Sequence, residues 1–468
     1  MVKKSKDSRR RENPRKIELR VTAHKLDLGA SGCKMAGPQA YSCGYCHSKE
    51  DTALSFGMQA VVMSCQAYQD LIDRGWRRSG MYLYKPDLKE SCCACYTIRL
   101  DVTKYQQSKS HNKVLKKVHK YLYCDEWECA LADGEDELEK GAGVSSRDNH
   151  PNAAMHKKGC VEKSETTNQR HSKDDELSSP RASRSDKRKP TPIPINSHSL
   201  LTDSEINGPA HRLEIVTTRA AFERQTFDLY KKYQIAVHKD PPSKLTESSY
   251  KRFLVASPLD FEAPRQPHLP GYGSFHQKYY IDGTLAIVAV IDILPKCVSS
   301  VYLMYDPDFA FLSCGVYSVL REIAYAKTLS TSLPELKYYY MGFYIHTCPK
   351  MNYKGSYKPS DLLCPELFVW VPLSRCIPEL GKTKYVKLSD LLSGEELAEE
   401  QKDQDARTPL GTTIPDTDID KVRIMTKSRV FPFESSTVSA DETWRVLFAD
   451  MLRNIGPVVS QELTLQFL

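Results

Sequence analysis

Apolar positions recur with two different periods in the second half of the chain, and the switches between them predict its elements. Leu213–Thr217 alternates as a strand, and Phe222, Leu229, Tyr230 and Tyr233 fall on one face of a helix. Thr246 stands where a helix cap belongs, ahead of Tyr250, Phe253 and Leu254. Gln277–Ile281 and Leu285–Leu294 flank Asp282-Gly283, a dipeptide suited to a tight primed turn, so a β-hairpin is expected there. Val298–Tyr305 predicts another strand and 313–329 a helix. Lys337–Ile345 predicts a tyrosine-rich strand, and Leu367–Val371 a further one. Farther on, Val446, Leu447, Leu452 and Ile455 recur at helical spacing, so a closing helix is expected over 443–455.

Strand, two helices, three strands, helix, strand is the order of the acetyltransferase (GNAT) fold. The expected class is therefore α+β, with a GNAT-like catalytic core. Ahead of it, from about 132 to 209, runs a polar stretch. It opens on Asp133, Glu135, Asp136, Glu137 and Glu139 and ends in Arg184, Lys187, Arg188 and Lys189 before a proline-rich piece. Such a segment cannot bury enough apolar surface to offset its chain entropy, so a disordered linker is expected. A second polar stretch, 393–420, reads as a long loop. The division expected is a basic tail (1–32), a Cys-rich N-terminal domain (33–130), the linker (131–210), the catalytic domain (211–385), a polar loop (386–430) and a closing helix region (431–468).

Composition narrows the setting more than the activity. A net charge of +7 over 468 residues suits a polyanionic partner without requiring one. The most apolar stretch, Leu285–Leu294, is broken by Asp292 and too short to span a bilayer, so no membrane association is expected. Residues 1–16 are basic and hold no apolar run, which argues against a secretory signal and for the cytosol, with the nucleus admitted by the basic run. Thiols stay reduced there, so the 15 cysteines are read as ligands, reactive thiols or buried apolar residues rather than disulfides.

Two groups of cysteines stand out. Cys43-Gly44-Tyr45-Cys46 is a CxxC, and Cys92-Cys93-Ala94-Cys95 follows. Two thiolates on a tight turn can face one soft or borderline ion. Adjacent Cys92 and Cys93 converge with them only if the backbone turns. Buried free cysteines or a redox pair are the alternative. Between this region and the linker, Ser108–Leu122 predicts a helix with Val114, Val118 and Leu122 on one face and Lys113, Lys116, Lys117 and Lys120 on another. Arg74, Arg77 and Arg78 flank Trp76 upstream. Such cations suit phosphate contacts, and such helices are also ordinary solvated surfaces.

At this point the sequence resembles a known family. The segments Ser42–Cys46, Tyr68–Gly80 and Tyr96–Arg99 are similar to the N-terminal region of eukaryotic arginyl-tRNA–protein transferases. So are Gly271–Gln277, Val290–Pro295, Tyr339–His346, Cys348–Met351 and Tyr357–Pro365 to their C-terminal region. The resemblance implies transfer of arginine from Arg-tRNA to the N-terminal amine of proteins beginning with Asp, Glu or oxidised Cys. These proteins are thereby marked for ubiquitin-dependent degradation (the N-degron pathway), a ubiquitin ligase acting downstream. It implies an iron–sulfur cluster, with zinc as the competing assignment, on Cys43, Cys46, Cys92 and Cys93. Cys95 departs from the family pattern and leaves open which of the three neighbours binds.

The reaction is aminolysis of an activated ester. An α-amine with a reference pKa near 8 is partly neutral at cellular pH, so positioning supplies most of the rate. Catalytic roles are expected of His276, Gln277 and Asp282. Substrate contacts are expected of Arg321, Glu322, Tyr344, His346, Lys350, Tyr353 and Lys354, with Asp292 a further candidate partner for the arginyl group. Arg77, Arg78, Lys113, Lys116, Lys117 and Lys120 are expected on the tRNA. Two readings compete: a coenzyme A-dependent acetyltransferase, weakened by the single glycine in Phe309–Gly315, and a non-catalytic, metal-bearing RNA-binding adaptor.

Overall fold

The structure, a computed structural model, describes residues 31–48, 50–123, 205–207, 210–403, 416–426, 429–456 and 463–466. The expected basic tail and linker lie almost wholly outside them. Among the described residues the strands form two sheets. The larger has nine strands in the order β13-β12-β5-β11-β10-β9-β8-β7-β6. In chain order these are β5 (Tyr96–Asp101), β6 (Glu205–Asn207), β7 (Arg212–Arg219), β8 (Gly273–Ile281), β9 (Thr284–Ile293), β10 (Cys297–Tyr305), β11 (Tyr338–Tyr344), β12 (Ser360–Leu363) and β13 (Trp370–Pro372). The smaller has seven: β1 (Ser31–Tyr41), β2 (Ala53–Val62), β3 (Arg77–Ser79), β4 (Tyr82–Pro86), β14 (Arg423–Thr426), β15 (Arg429–Pro432) and β16 (Leu463–Gln466). The chain is thus mixed α/β, in keeping with the α+β expectation.

Local rules explain the larger sheet. Asp282 and Gly283 both take positive φ, 49° and 78°, which twists the β8–β9 hairpin with its strands. Helix α3 (Arg224–Tyr233) buries Leu229, Tyr230 and Tyr233 against this sheet, together with Tyr250 and Leu254 from the segment capped by Thr246. Thr246 and Ser249 complete a reciprocal capping box. Strands β10 and β11 run parallel and are joined by helix α4 (Cys314–Ser332), a βαβ unit. Strand β5, from the cysteine-rich segment, lies between β11 and β12, antiparallel to both. Residues 96–101 therefore complete the sheet of the C-terminal half.

The smaller sheet was not anticipated. Its first strand, Ser-Gly-Cys-Lys-Met-Ala-Gly-Pro-Gln-Ala-Tyr, has no clean alternation and contains Pro38. A core of Met58, Met63, Leu71, Ile72 and Trp76 holds it to Phe433, Phe448, Met451 and Leu452 of the C-terminal region. Helices α1 (Cys65–Ile72) and α6 (Glu442–Ile455) supply much of that core, and the Trp76 indole donates to the Asn454 carbonyl at 2.8 Å. One expectation is corrected here. Within the supposed loop 393–420, Gly394–Asp403 is a helix. It lacks an apolar face, but Ser393 and Glu396 cap each other, and Glu396 makes a two-pronged ion pair with Arg375 of α5 (Leu373–Leu380) at 2.6 and 2.8 Å.

Candidate active site and metal centre

Parallel strands β10 and β11 pair only at their first residues, Cys297–Ser299 against Tyr338–Tyr340. Beyond that they part. Gly342, at φ 71°, bulges β11 away from its register with β5, and its carbonyl accepts from Arg77 at 3.4 Å. A cavity of about 510 Å³ lies in the gap. Ser299–Leu303 of β10 and Tyr339 and Met341–Phe343 of β11 line it, with Gly315, Ser318 and Glu322 from the first turns of α4, and Tyr45, Arg77, Arg78 and Lys354. Open α/β sheets bind ligands at such places, beyond the carboxyl ends of strands that part.

Three charged groups set the character of the cavity. Glu322 is buried and accepts a hydrogen bond from the Tyr339 hydroxyl at 2.8 Å. Burial outweighs the bonds from Tyr339 and Ser300 and pushes its carboxyl up to about 7. Arg77 is buried too. Its guanidinium donates to the carbonyls of Ile72, Trp76 and Gly342 and faces the rings of Tyr340 and Phe343. Among the described residues no carboxylate lies within ion-pair distance of it. The Lys354 amine donates to the Phe343 carbonyl at 2.8 Å, and burial, with Arg77 nearby, brings it down to about 8.

Arg78 also lines the cavity, but it is spent internally. Its guanidinium grips Asp292 at 2.6 and 2.7 Å, and Ser274 bonds the same carboxylate. Asp292 is thereby committed, not free to hold an arginyl group, and neither Arg77 nor Arg78 presents a solvent-facing charge to a phosphate. Both members of the pair are buried, so replacing Arg78 by Met should cost about 3–5 kcal/mol, the penalty of one unpaired buried charge. Replacing both Arg78 and Asp292 by apolar residues should recover most of that loss in chemical denaturation.

Most of the remaining candidates lie elsewhere. His276 is wholly enclosed in β8, one ring nitrogen 2.9 Å from the Leu254 carbonyl, and burial lowers its pKa. Gln277 bonds Thr217 and Tyr279. Asp282 caps its own hairpin, accepting from the Arg212 amide and pairing with His211 at 2.6 Å. Arg321 is buried beside Tyr317. Tyr344 bonds His346 at 2.9 Å, and Lys350 is exposed on a short helical turn. Tyr353 lines the cavity, as does Tyr357. Tyr45, Tyr68, Tyr84, Tyr233 and His238 line it as well and escaped sequence reading, since each owes its place to the tertiary fold.

The four thiols Cys43, Cys46, Cys92 and Cys93 converge, all sulfurs lying within 4.8 Å of one another. The Cys92–Cys93 backbone turns at the end of a loop ahead of β5, which resolves the geometric objection to adjacent ligands. Burial works against the Cys43 thiolate, but amide donors from Cys46 and Tyr45 and the neighbouring thiols bring it down to about 7. Such a set can hold a metal. Cys95 stays out: its thiol faces the Cys93 carbonyl at 3.6 Å, and burial raises it to about 12. Cys314 is buried at the start of α4, its thiol facing the Phe309 carbonyl at 3.0 Å, and burial likewise raises it to about 12. The centre abuts the cavity, since Cys43, Cys93 and Cys95 pack on Phe343, and Tyr45 between the first two ligands forms part of the cavity wall.

The family described as Arginine-tRNA-protein transferase, N terminus, matches residues 41–113, and its C-terminus counterpart matches 225–364. These spans take in all four thiols and the α4–β11 walls. Arginyl-tRNA–protein transferase 1 of Drosophila melanogaster is 38% identical over 419 residues, covering 76% of this chain and 85% of that protein. The chain belongs to the arginyl-tRNA–protein transferase family. Arginyl-tRNA–protein transferase 1 of Arabidopsis thaliana is 33% identical and covers 76% of this chain and 75% of its own. A more distant relative, the aspartate/glutamate leucyltransferase of Pseudomonas savastanoi, is 25% identical over 72% of this chain and 96% of its own. No helix among the described residues of this transferase is long and apolar enough to cross a membrane.

Proposed function

We propose that the cavity between β10 and β11 is where arginine passes from tRNA to the N-terminal amine of an acidic acceptor, with Glu322 and Arg77 as opposite charge readers. Arginyl transfer from tRNA to protein is the reaction of the family, and the parted strand pair beside α4 supports a GNAT-like core. The observation that carries the assignment is the pairing of a buried carboxylate with a buried, unpaired guanidinium on the walls of one cavity. Glu322 suits the arginyl guanidinium and Arg77 the acceptor's acidic side chain, because each buried charge lacks an ionic partner that a substrate would supply. The name of the bacterial relative, an aspartate/glutamate leucyltransferase, agrees with acidic acceptors. Lys354, near pKa 8, is suited to take the proton of the attacking amine.

Helix α2 (Lys109–Tyr123) supports a route for the tRNA. Its His111 ring stacks on Tyr357 of the cavity wall, centroids 4.6 Å apart, while Lys113, Lys116 and Lys120 face solvent and Lys117 is half-buried. A polyanion along these lysines would be led toward the cavity. The metal is proposed to be a single tetrahedral ion, zinc in preference to the iron–sulfur cluster. Sulfurs about 3.8 Å apart surround a tetrahedral zinc ion, and the four here lie within 4.8 Å of one another, Cys46 and Cys92 at 3.5 Å, whereas a multi-iron cluster requires a wider cage.

The test is transfer of labelled arginine from charged tRNA to two peptides differing only in a first residue of Asp or Asn. Label is expected on the Asp peptide. Arg77→Met should lower kcat/KM for it by about 100-fold, the value of one charge-assisted contact, and should erase the preference over Asn. Reversing Lys113, Lys116 and Lys120 to Glu should raise the KM for Arg-tRNA and flatten its salt dependence. An Arg77→Met enzyme with unchanged Asp preference would sink the assignment of the acceptor pocket.

A further inference from the structure

A second cavity, of about 480 Å³, opens on the smaller sheet, between β1, β2 and β4 and the Pro365–Tyr385 region. Its wall is mostly apolar, with Leu54, Phe56, Pro86 and Pro365 among its members. Its chemistry comes from Lys85. The amine of this half-buried lysine stands 4.7 Å from the centre of the Phe368 ring and has no hydrogen-bonding or ionic partner among the described residues. Behind it, Arg74 stacks on the same ring at 4.2 Å. Arg74 is 5% exposed. It gives one hydrogen bond, to the Arg453 carbonyl at 3.3 Å, and its Nε and a second terminal nitrogen have no acceptor. The one carboxylate lining the cavity, Asp87, is occupied by the amides of Lys89 and Glu90, both at 3.0 Å.

Two cations share one ring; Asp70 acts on Arg74 and Asp87 on Lys85 through space, but among the described residues neither cation is closed into an ion pair, so positive charge is left in excess. Buried charges are ordinarily paired. Burial and Arg74 push the Lys85 amine down to about 7, against the pull of Asp87, so an arriving anion would be repaid by protonating it. Pockets for small molecules have this make-up: an apolar wall and few, well-placed polar groups.

We propose that this cavity is a binding site for a small organic anion, a carboxylate or phosphate on an apolar body, with Lys85 holding the anionic head. Phe56, Pro86 and Pro365 cover the body, and Arg74 supplies a fixed positive field from behind. The site is separate from the transfer cavity: of its lining residues none lines the gap between β10 and β11.

The full chain is titrated with benzoate and with phenyl phosphate, which share a body and differ in head, and binding is read by saturation-transfer NMR and by the thermal midpoint. Binding of at least one is expected, and the stronger of the two names the head group. Lys85→Met should weaken it roughly 10- to 100-fold, the loss of one charge-assisted hydrogen bond, whereas Lys85→Arg should retain it. On the unaltered protein, affinity should fall about tenfold per pH unit above 7, as the Lys85 amine loses its proton. This second readout holds even if the Met variant fails to fold. Equal binding by the wild type and Lys85→Met, pH-independent binding, or no response to either probe at about 10 mM, where a millimolar site would be filled, overturns the assignment. Inorganic phosphate binding as tightly as phenyl phosphate overturns the role given to the apolar wall.

Discussion

Glu322→Gln should abolish most arginyl transfer and at the same time stabilise the protein above neutral pH. Loss of an ionic contact to the arginyl guanidinium is worth about 3 kcal/mol, or roughly 100-fold in kcat/KM for Arg-tRNA. The stability change follows from the carboxyl's raised pKa. Its folded value, about 7, lies above the ordinary 4.5, so the protonated form is favoured by folding. That contribution is present in full below about 4.5 and is lost as pH rises through 7. The difference of some 2.5 units corresponds to roughly 3 kcal/mol between the two limits. Glutamine does not titrate and can still accept from Tyr339. The gap in unfolding free energy between variant and wild type should therefore widen from pH 5 to pH 8, and kcat/KM should rise more steeply over that interval in the wild type than in the variant, whose remaining pH dependence comes from Lys354 and the acceptor amine. A merely structural Glu322 would show the stability trend without the loss of transfer.

Replacing any one of Cys43, Cys46, Cys92 or Cys93 by Ser should remove the bound metal, whereas Cys95→Ser should keep it. Four converging thiolates hold zinc with an apparent free energy of about 10–16 kcal/mol at neutral pH, so losing one sulfur leaves an incomplete and weakly held ion. Metal content by mass spectrometry, with the thermal midpoint alongside, reads both effects. The four variants should also lose transfer, because Tyr45 reaches the cavity wall from between two ligands. Strong visible absorption in anaerobically prepared protein, with iron and sulfide in place of zinc, would refute the single-ion assignment. Metal lost from Cys95→Ser and kept in Cys92→Ser would refute the ligand set.

What the sequence could disclose was whatever is encoded within about twenty residues. The Asp282-Gly283 turn, the face of α2, the βαβ unit around α4 and the helix over 442–455 all carry local signals, and all are present. The polar helix 394–403 was hidden because its stability comes from a capping box and an ion pair, not an apolar stripe. The smaller sheet was hidden because β1 closes on β16, 430 residues away, with glycine and proline in place of alternation. Charges misled for the same reason. Arg77 and Arg78 flank a tryptophan and read as a nucleic-acid surface, but the partner that buries Arg78 is Asp292, 214 positions later. The Cys43–Cys46 and Cys92–Cys93 pairs named the four thiols that converge into a set able to hold a metal, and Cys95 is set apart from them only by geometry.

The place of β5 between β11 and β12 has a consequence for synthesis. Residues 96–101 leave the ribosome well before 338–344 and 360–363, the strands they pair with among the described residues. At about 5–20 residues per second, the wait is on the order of 10–50 s, during which a central strand of the large sheet has both edges bare. The four converging thiols, all within the first 93 residues, are already outside by then. With an ion bound by those thiolates early, a nascent chain would hold residues 43–93 together while β5 waits; one starved of metal would expose a longer sticky segment to aggregation and to chaperones.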